Sequence, residues 1–134
     1  MIYYNIKEGD KMKKVLLVNM LLYGMGFGLY ADGAVYFKKA CDSGDLKKCY
    51  KLGHMYRDGT GVKQNYSKAV KYYSKACDDG YVAACNNLGV RICNDQGIKK
   101  NNIEAAKLFN RACKGGDSDG CHNLEIIKRE IINK

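Results

Sequence analysis

Seven cysteines stand at positions 41, 49, 77, 85, 93, 113 and 121, and six of them fall on one 36-residue step. Cys41, Cys77 and Cys113 form one series; Cys49, Cys85 and Cys121 form the other. The same step carries Leu52, Leu88 and Leu124, the glycines Gly44, Gly80 and Gly116, and the pairs Gly53/Gly89, Gly61/Gly97, Asn65/Asn101 and Ala69/Ala105. Residues 45–80 and 81–116 share 11 identities over 36 positions. A fixed period of this length marks an array of small units, each unable to bury its apolar face alone but able to do so by stacking.

Within one period, residues 66–79 (YSKAVKYYSKACDD) place Tyr66, Ala69, Val70, Tyr73, Ala76 and Cys77 on one face at helical spacing. Gly80 then stands where a helix C′ glycine belongs. Residues 82–93 (VAACNNLGVRIC) place Val82, Cys85, Leu88, Gly89 and Ile92 on one face. The stretch DQGIKKNN matches RDGTGVKQN one period earlier, with Gly61 and Gly97 expected at positive φ. Each period therefore reads as two antiparallel helices. The expected fold is all-α, a right-handed αα solenoid of stacked helix hairpins. It divides into a half repeat at 33–44, repeats at 45–80 and 81–116, and a terminal half repeat at 117–134, with 126–134 read as a capping helix.

This geometry selects the disulfides. Cys77 sits in the last turn of one helix and Cys85 early in the next, and the Gly80 turn folds them together. The same holds for Cys41 with Cys49 across Gly44, and for Cys113 with Cys121 across Gly116. Cys85 and Cys93 are also eight apart, but on one helix they are separated by about 12 Å of axial rise. That is beyond disulfide reach. Cys93 is thus left over. A partly buried free thiol in a monomer is the plain reading, and a Cys93-linked dimer is the alternative. Zinc ligation is the rival use for the six paired cysteines, but eight-residue spacing is unlike the close CxxC type. No metal is expected, and no cofactor motif is present.

Ahead of the repeats, Met12-Lys13-Lys14 precedes the apolar run VLLVNMLLYGMGFGLY and the small residue Ala31. This order describes a secretory signal peptide over residues 1–31, with the start at Met12 and residues 1–11 an upstream extension. The run is shorter than the roughly 20 residues of a spanning helix. An uncleaved anchor is the rival reading; after cleavage no stable membrane span is expected. A secreted or periplasmic location follows, and there disulfides persist.

The stretch LGHMYRDGTGVKQNYSKAVKYYSKAC (52–77) resembles a Sel-one-like repeat, a relative of the tetratricopeptide repeat, and LGVRICNDQGIKKNNIEAAKLFNRAC (88–113) is a looser copy. The cysteine pairs in a 36-residue frame resemble the Helicobacter cysteine-rich protein family, over roughly 33–125. Glu125 departs from the pattern set by Gly53 and Gly89, and Cys93 lies outside it. The resemblance implies an exported, disulfide-bridged helical protein that binds a peptide, protein or cell-envelope ligand on its concave face. It also implies penicillin binding with weak β-lactamase activity as the runner-up. By the same resemblance Lys51, Asn87 and Asn123, just before the recurring leucine, line that face together with their neighbours Tyr50, Asn86 and His122.

The residues themselves offer no catalytic signature. Ser43, Ser67, Ser74 and Ser118 are not followed by lysine at the third position, and neither H-E-x-x-H nor a glycine-rich phosphate loop occurs. The two histidines, His54 and His122, occupy different repeat positions. A β-lactamase reading therefore rests on analogy, and the catalytic residues stay unassigned. The formal charge of +9 favours acidic partners. The lysines are nevertheless spread over helix faces among acids, without the aromatic interleaving that stacks bases. Nucleic acid is not an expected partner.

Overall fold

The computed structural model describes residues 33–134, and the segment read as an export signal lies outside the described residues. Six helices carry all the regular structure there: α1 (33–42), α2 (Leu46–Asp58), α3 (Tyr66–Asp78), α4 (Val82–Cys93), α5 (Asn102–Lys114) and α6 (Ser118–Ile132). From α2 onward each helix packs on the next, and α4 also touches α6 directly. The result is the stacked, all-helical solenoid that the period requires.

One turn is used three times. At its centre Gly44, Gly80 and Gly116 adopt φ of 98°, 104° and 92°, a left-handed conformation that costs glycine nothing. Gly80 N–H donates to Cys77 O and Tyr81 N–H to Ala76 O. This pair of bonds is the Schellman motif. Gly44 and Asp45, and Gly116 and Asp117, repeat it on Cys41 and Ala40, and on Cys113 and Ala112. The residue after each glycine is also the N-cap of the next helix. Each first cysteine therefore lies two places inside one helix and each second cysteine four places inside the next. Their Cα atoms are 4.6, 4.7 and 4.4 Å apart, and all three pairs are joined as disulfides. Cys93 remains a free thiol.

The longer connections also repeat. Asn65 and Asn101 are N-caps whose side chains accept from Lys68 N–H and Glu104 N–H; such caps are worth about 1 kcal/mol each. Gly61 and Gly97 take positive φ as expected, and Asp95 takes it where the previous repeat has Gly59.

The recurring helix glycines make room for aromatic rings. A Cβ on Gly53 would lie 2.5 Å from Tyr73 Cε1, and one on Gly89 would lie 2.6 Å from Phe109 Cε1. Tyr73 is wholly buried and Phe109 nearly so. Glu125, at the third position of this series, is exposed. Two expectations need correction. Residues 126–134 do not form a separate capping helix, for α6 runs unbroken from Ser118 to Ile132; no glycine or proline interrupts it after Gly120. Tyr72, left off the apolar face of 66–79, is buried. Its ring stacks on Tyr56 of α2 at 5.7 Å and 8°, a contact between helices that spacing within one helix does not reveal.

Candidate functional site

Helices α2, α4 and α6 occupy equivalent places in successive periods, and polar side chains join them across one face. Asn87 on α4 donates from Nδ2 to the Tyr50 hydroxyl on α2 at 3.1 Å. One period later, Asn123 on α6 donates from Nδ2 to Asn86 Oδ1 at 2.8 Å. The Asn87 amide is used further: Nδ2 also donates to Ala83 O, and Oδ1 accepts from Arg57 Nη1 at 3.4 Å. Four of the six residues implied by the resemblance thus meet in pairs that run diagonally between the two columns. Lys51 and His122 are exposed, and their side chains make no hydrogen bond among the described residues.

At the α2 end of this face Tyr50 is joined by two residues that the resemblance did not place there, His54 and Arg57. Tyr50, His54 and Arg57 fall at i, i+4 and i+7, one stripe of a helix. The Tyr50 and His54 rings meet edge-on at 4.3 Å, and Tyr81 lies 5.0 Å from Tyr50. The Tyr73 hydroxyl reaches His54 Nδ1 at 3.3 Å. Arg57 binds Asp58 through Nε and Nη2 at 2.6 and 2.7 Å. The i, i+4, i+7 spacing was the available signal. The two histidines, His54 and His122, occupy different repeat positions, so the repeat alone does not mark this stripe.

Burial and charge tune these groups. Burial pushes the Tyr73 hydroxyl up to about 12, so it remains a donor. Burial, reinforced by the nearby Arg57 guanidinium, holds His54 below its usual value. The hydrogen bond to Arg57 keeps the Asp58 carboxyl low. Tyr50 is raised by burial against the opposing bond from Asn87.

At the other end, between α4 and α6, lies a recess of about 280 Å³. Val90, Phe109, Ile126 and Ile127 line it, with Cys93 and Asn123 in the wall and Lys100 and Glu130 also lining it. The Cys93 thiol is half-buried, and that burial raises its pKa; it is a weak nucleophile. Among the described residues no group of three or more His, Cys, Asp or Glu side chains gathers to hold a metal.

A family model for the Sel1 repeat matches residues 20–45, 49–81 and 82–117. The chain belongs to the Sel1 repeat family. Its structure is similar to that of Helicobacter pylori cysteine rich protein B, at 37% identity over 68% of each chain, with a TM-score of 0.65. It is also similar to a protective antigen of uropathogenic Escherichia coli strains with an SLR fold. There the identity is 26% over 72% of this chain and 21% of that one, with a TM-score of 0.70. A Sel1 repeat protein from Oxalobacter formigenes shares the fold at 24% identity and a TM-score of 0.65, over 71% of this chain and 38% of that one. No curated protein matches the chain. The first matched Sel1 stretch begins at residue 20, upstream of the half repeat placed at 33–44 and inside the apolar segment. In the Sel1 frame, Tyr50, His54 and Arg57 belong to one repeat and Asn87 and Cys93 to the next. The Tyr50–Asn87 part of the polar seam therefore joins equivalent helices of successive Sel1 repeats, and Asn123 lies beyond the last matched stretch.

Proposed function

We propose that this Sel1 repeat protein is an exported interaction module that binds an extended peptide or protein segment along the α2/α4/α6 face. The observation that carries this reading is the juxtaposition on that face of the hydrogen-bonded seam with the Tyr50–His54–Arg57 stripe. A rigid row of amides, a hydroxyl, an imidazole and a guanidinium suits a ligand rich in hydrogen-bond acceptors, and backbone carbonyls and carboxylates are such groups. The three disulfides favour an oxidising compartment, in line with the basic and apolar order of residues 12–31. Bracing each turn also limits the ordering cost of presenting the face.

The test is binding of the purified, oxidised protein to a random peptide array, beside the His54→Ala and Arg57→Ala variants. Enrichment of a defined peptide set that either substitution weakens supports the reading. A bound set no different from that of the reduced, denatured protein overturns it.

A further inference from the structure

The face named above is uneven along its length. One repeat position carries His54 on α2, Val90 on α4 and Ile126 on α6. It passes from a polar ring to two aliphatic side chains. The α2 end is a donor site. Tyr73 is wholly buried, and its hydroxyl meets no group other than His54 Nδ1 among the described residues. If Nδ1 carried the proton, the Tyr73 hydroxyl hydrogen would be buried without an acceptor. Buried polar hydrogens are nearly always satisfied. Tyr73 therefore donates to Nδ1, and neutral His54 keeps its proton on Nε2, which makes no hydrogen bond among the described residues. Arg57 beside it is ion-paired with Asp58 through Nε and Nη2 and bonded to Asn87 through Nη1, and two of its five N–H donors make no hydrogen bond among the described residues.

The α4/α6 end is of mixed character, with Asn94, Lys100, Asn123 and Glu130 standing around its aliphatic and aromatic groups. Its recess of about 280 Å³ has walls of Val90, Phe109, Ile126 and Ile127, and a space of that size accommodates a large apolar side chain. Lys100 and Glu130 both line it, a pairing that matches the carbonyl and amide groups of a passing peptide backbone. Asn123 belongs both to the recess wall and to the seam, so the two ends form one continuous strip.

Resting on the peptide-binding reading, we infer that this strip is a two-point reader: an acidic side chain at His54 and Arg57, and a large apolar side chain in the recess beside Cys93. Packed helices lie about 8–10 Å apart. Taking that spacing for the α2, α4 and α6 layer places the recess about one and a half spacings from α2. An extended peptide covers that distance in about four residues. The ligand class is thus an extended peptide with an acidic and a large apolar residue about four positions apart.

The free thiol gives this inference its own readout. The oxidised protein is titrated with nine-residue Gly/Ser peptides, acetylated and amidated, that carry one Glu and one Leu at every spacing and in both orders. Cys93 alkylation by iodoacetamide is followed in parallel. Affinity should peak near a spacing of four and fall about tenfold when Leu becomes Ala, and the best peptide should slow Cys93 alkylation. His54→Ala should erase the preference for Glu over Gln while sparing the preference for Leu, and Ile126→Lys should do the reverse. Cys93→Trp, which fills the recess, should act like Ile126→Lys if that variant folds poorly. Binding that is indifferent to Leu, or that leaves Cys93 equally reactive, overturns the two-point reading and spares the broader one. Failure of every peptide, together with an empty random array, overturns both.

Discussion

Asn123 donates its side-chain amide to Asn86 Oδ1 across 2.8 Å, although the two residues are 37 positions apart. The Asn87–Tyr50 bond has the same offset and lies one period earlier. The offset of one period plus one residue means that each helix of the layer is joined to its successor by a diagonal polar tie. Half-buried ties of this kind hold the stacking register, and each is worth about 1 kcal/mol. Asn123→Ala should lower unfolding stability by about that much in urea. Asn87→Ala should cost more, because Tyr50 and Arg57 both lose a partner.

The helix glycines lead to a second expectation. Gly→Ala inside a helix normally stabilises by up to about 1 kcal/mol. Here Gly53→Ala and Gly89→Ala would drive a methyl into the Tyr73 and Phe109 rings, which are buried and have no room to give way. Overpacking of this sort costs about 1–3 kcal/mol, so both variants should melt at lower temperature than the parent. Glu125→Ala, at the exposed third position, should be close to neutral.

Each disulfide closes a short loop, and the chain-entropy model assigns it about 2–3 kcal/mol. Replacing both Cys77 and Cys85 by Ser should lower stability by about that amount, measured by chemical denaturation under non-reducing conditions. The parent should show one free thiol per chain. Because Cys93 is half-buried and its pKa is raised by burial, that thiol should react slowly in buffer and rapidly in denaturant. Migration as a dimer on non-reducing electrophoresis would instead assign Cys93 to an intermolecular bond.

The pH dependence has two limbs of known sign. His54 is held below 6.5 when folded. As pH falls through about 6.5, the unfolded chain takes up a proton that the folded chain refuses, and stability declines. His54→Gln should flatten this acid limb. Tyr73 is pushed from 10.0 up to about 12. Between those values the unfolded chain has lost a proton that the folded chain retains, so stability declines as pH rises from 10 toward 12. Tyr73→Phe should shrink the alkaline limb, leaving the part due to Tyr50 and Tyr72, which burial also raises. Unfolding free energies measured across both ranges test the two assignments.

Much of the fold was legible because it is local and repeated. The 36-residue step, the turn glycines and the helical spacing each depend on residues a few positions apart, and together they name three disulfides and leave Cys93 over. The site was less legible. Tyr50, Asn86, Asn87 and Asn123 could be placed near one face only by resemblance, and their pairing joins residues 37 apart. Tyr72 was missed because its burial depends on Tyr56 from another helix. His54 and Arg57 were not legible as part of a site because their stripe with Tyr50 runs along one helix; positions 90 and 126 carry no histidine, and Arg57 recurs only at Arg129.

The amino-acid sequence by itself determined the repeat, the turns between helices and the disulfide partners, because turn geometry and the reach of a disulfide act over a few residues. Only the tertiary structure decided which polar groups are already spent on one another and which remain for a ligand. It joined Asn87 to Tyr50 and Arg57, aimed Tyr73 at His54, and opened a recess beside Cys93. Those outcomes depend on how far one helix sits from the next, and that distance is set by the side chains packed between them.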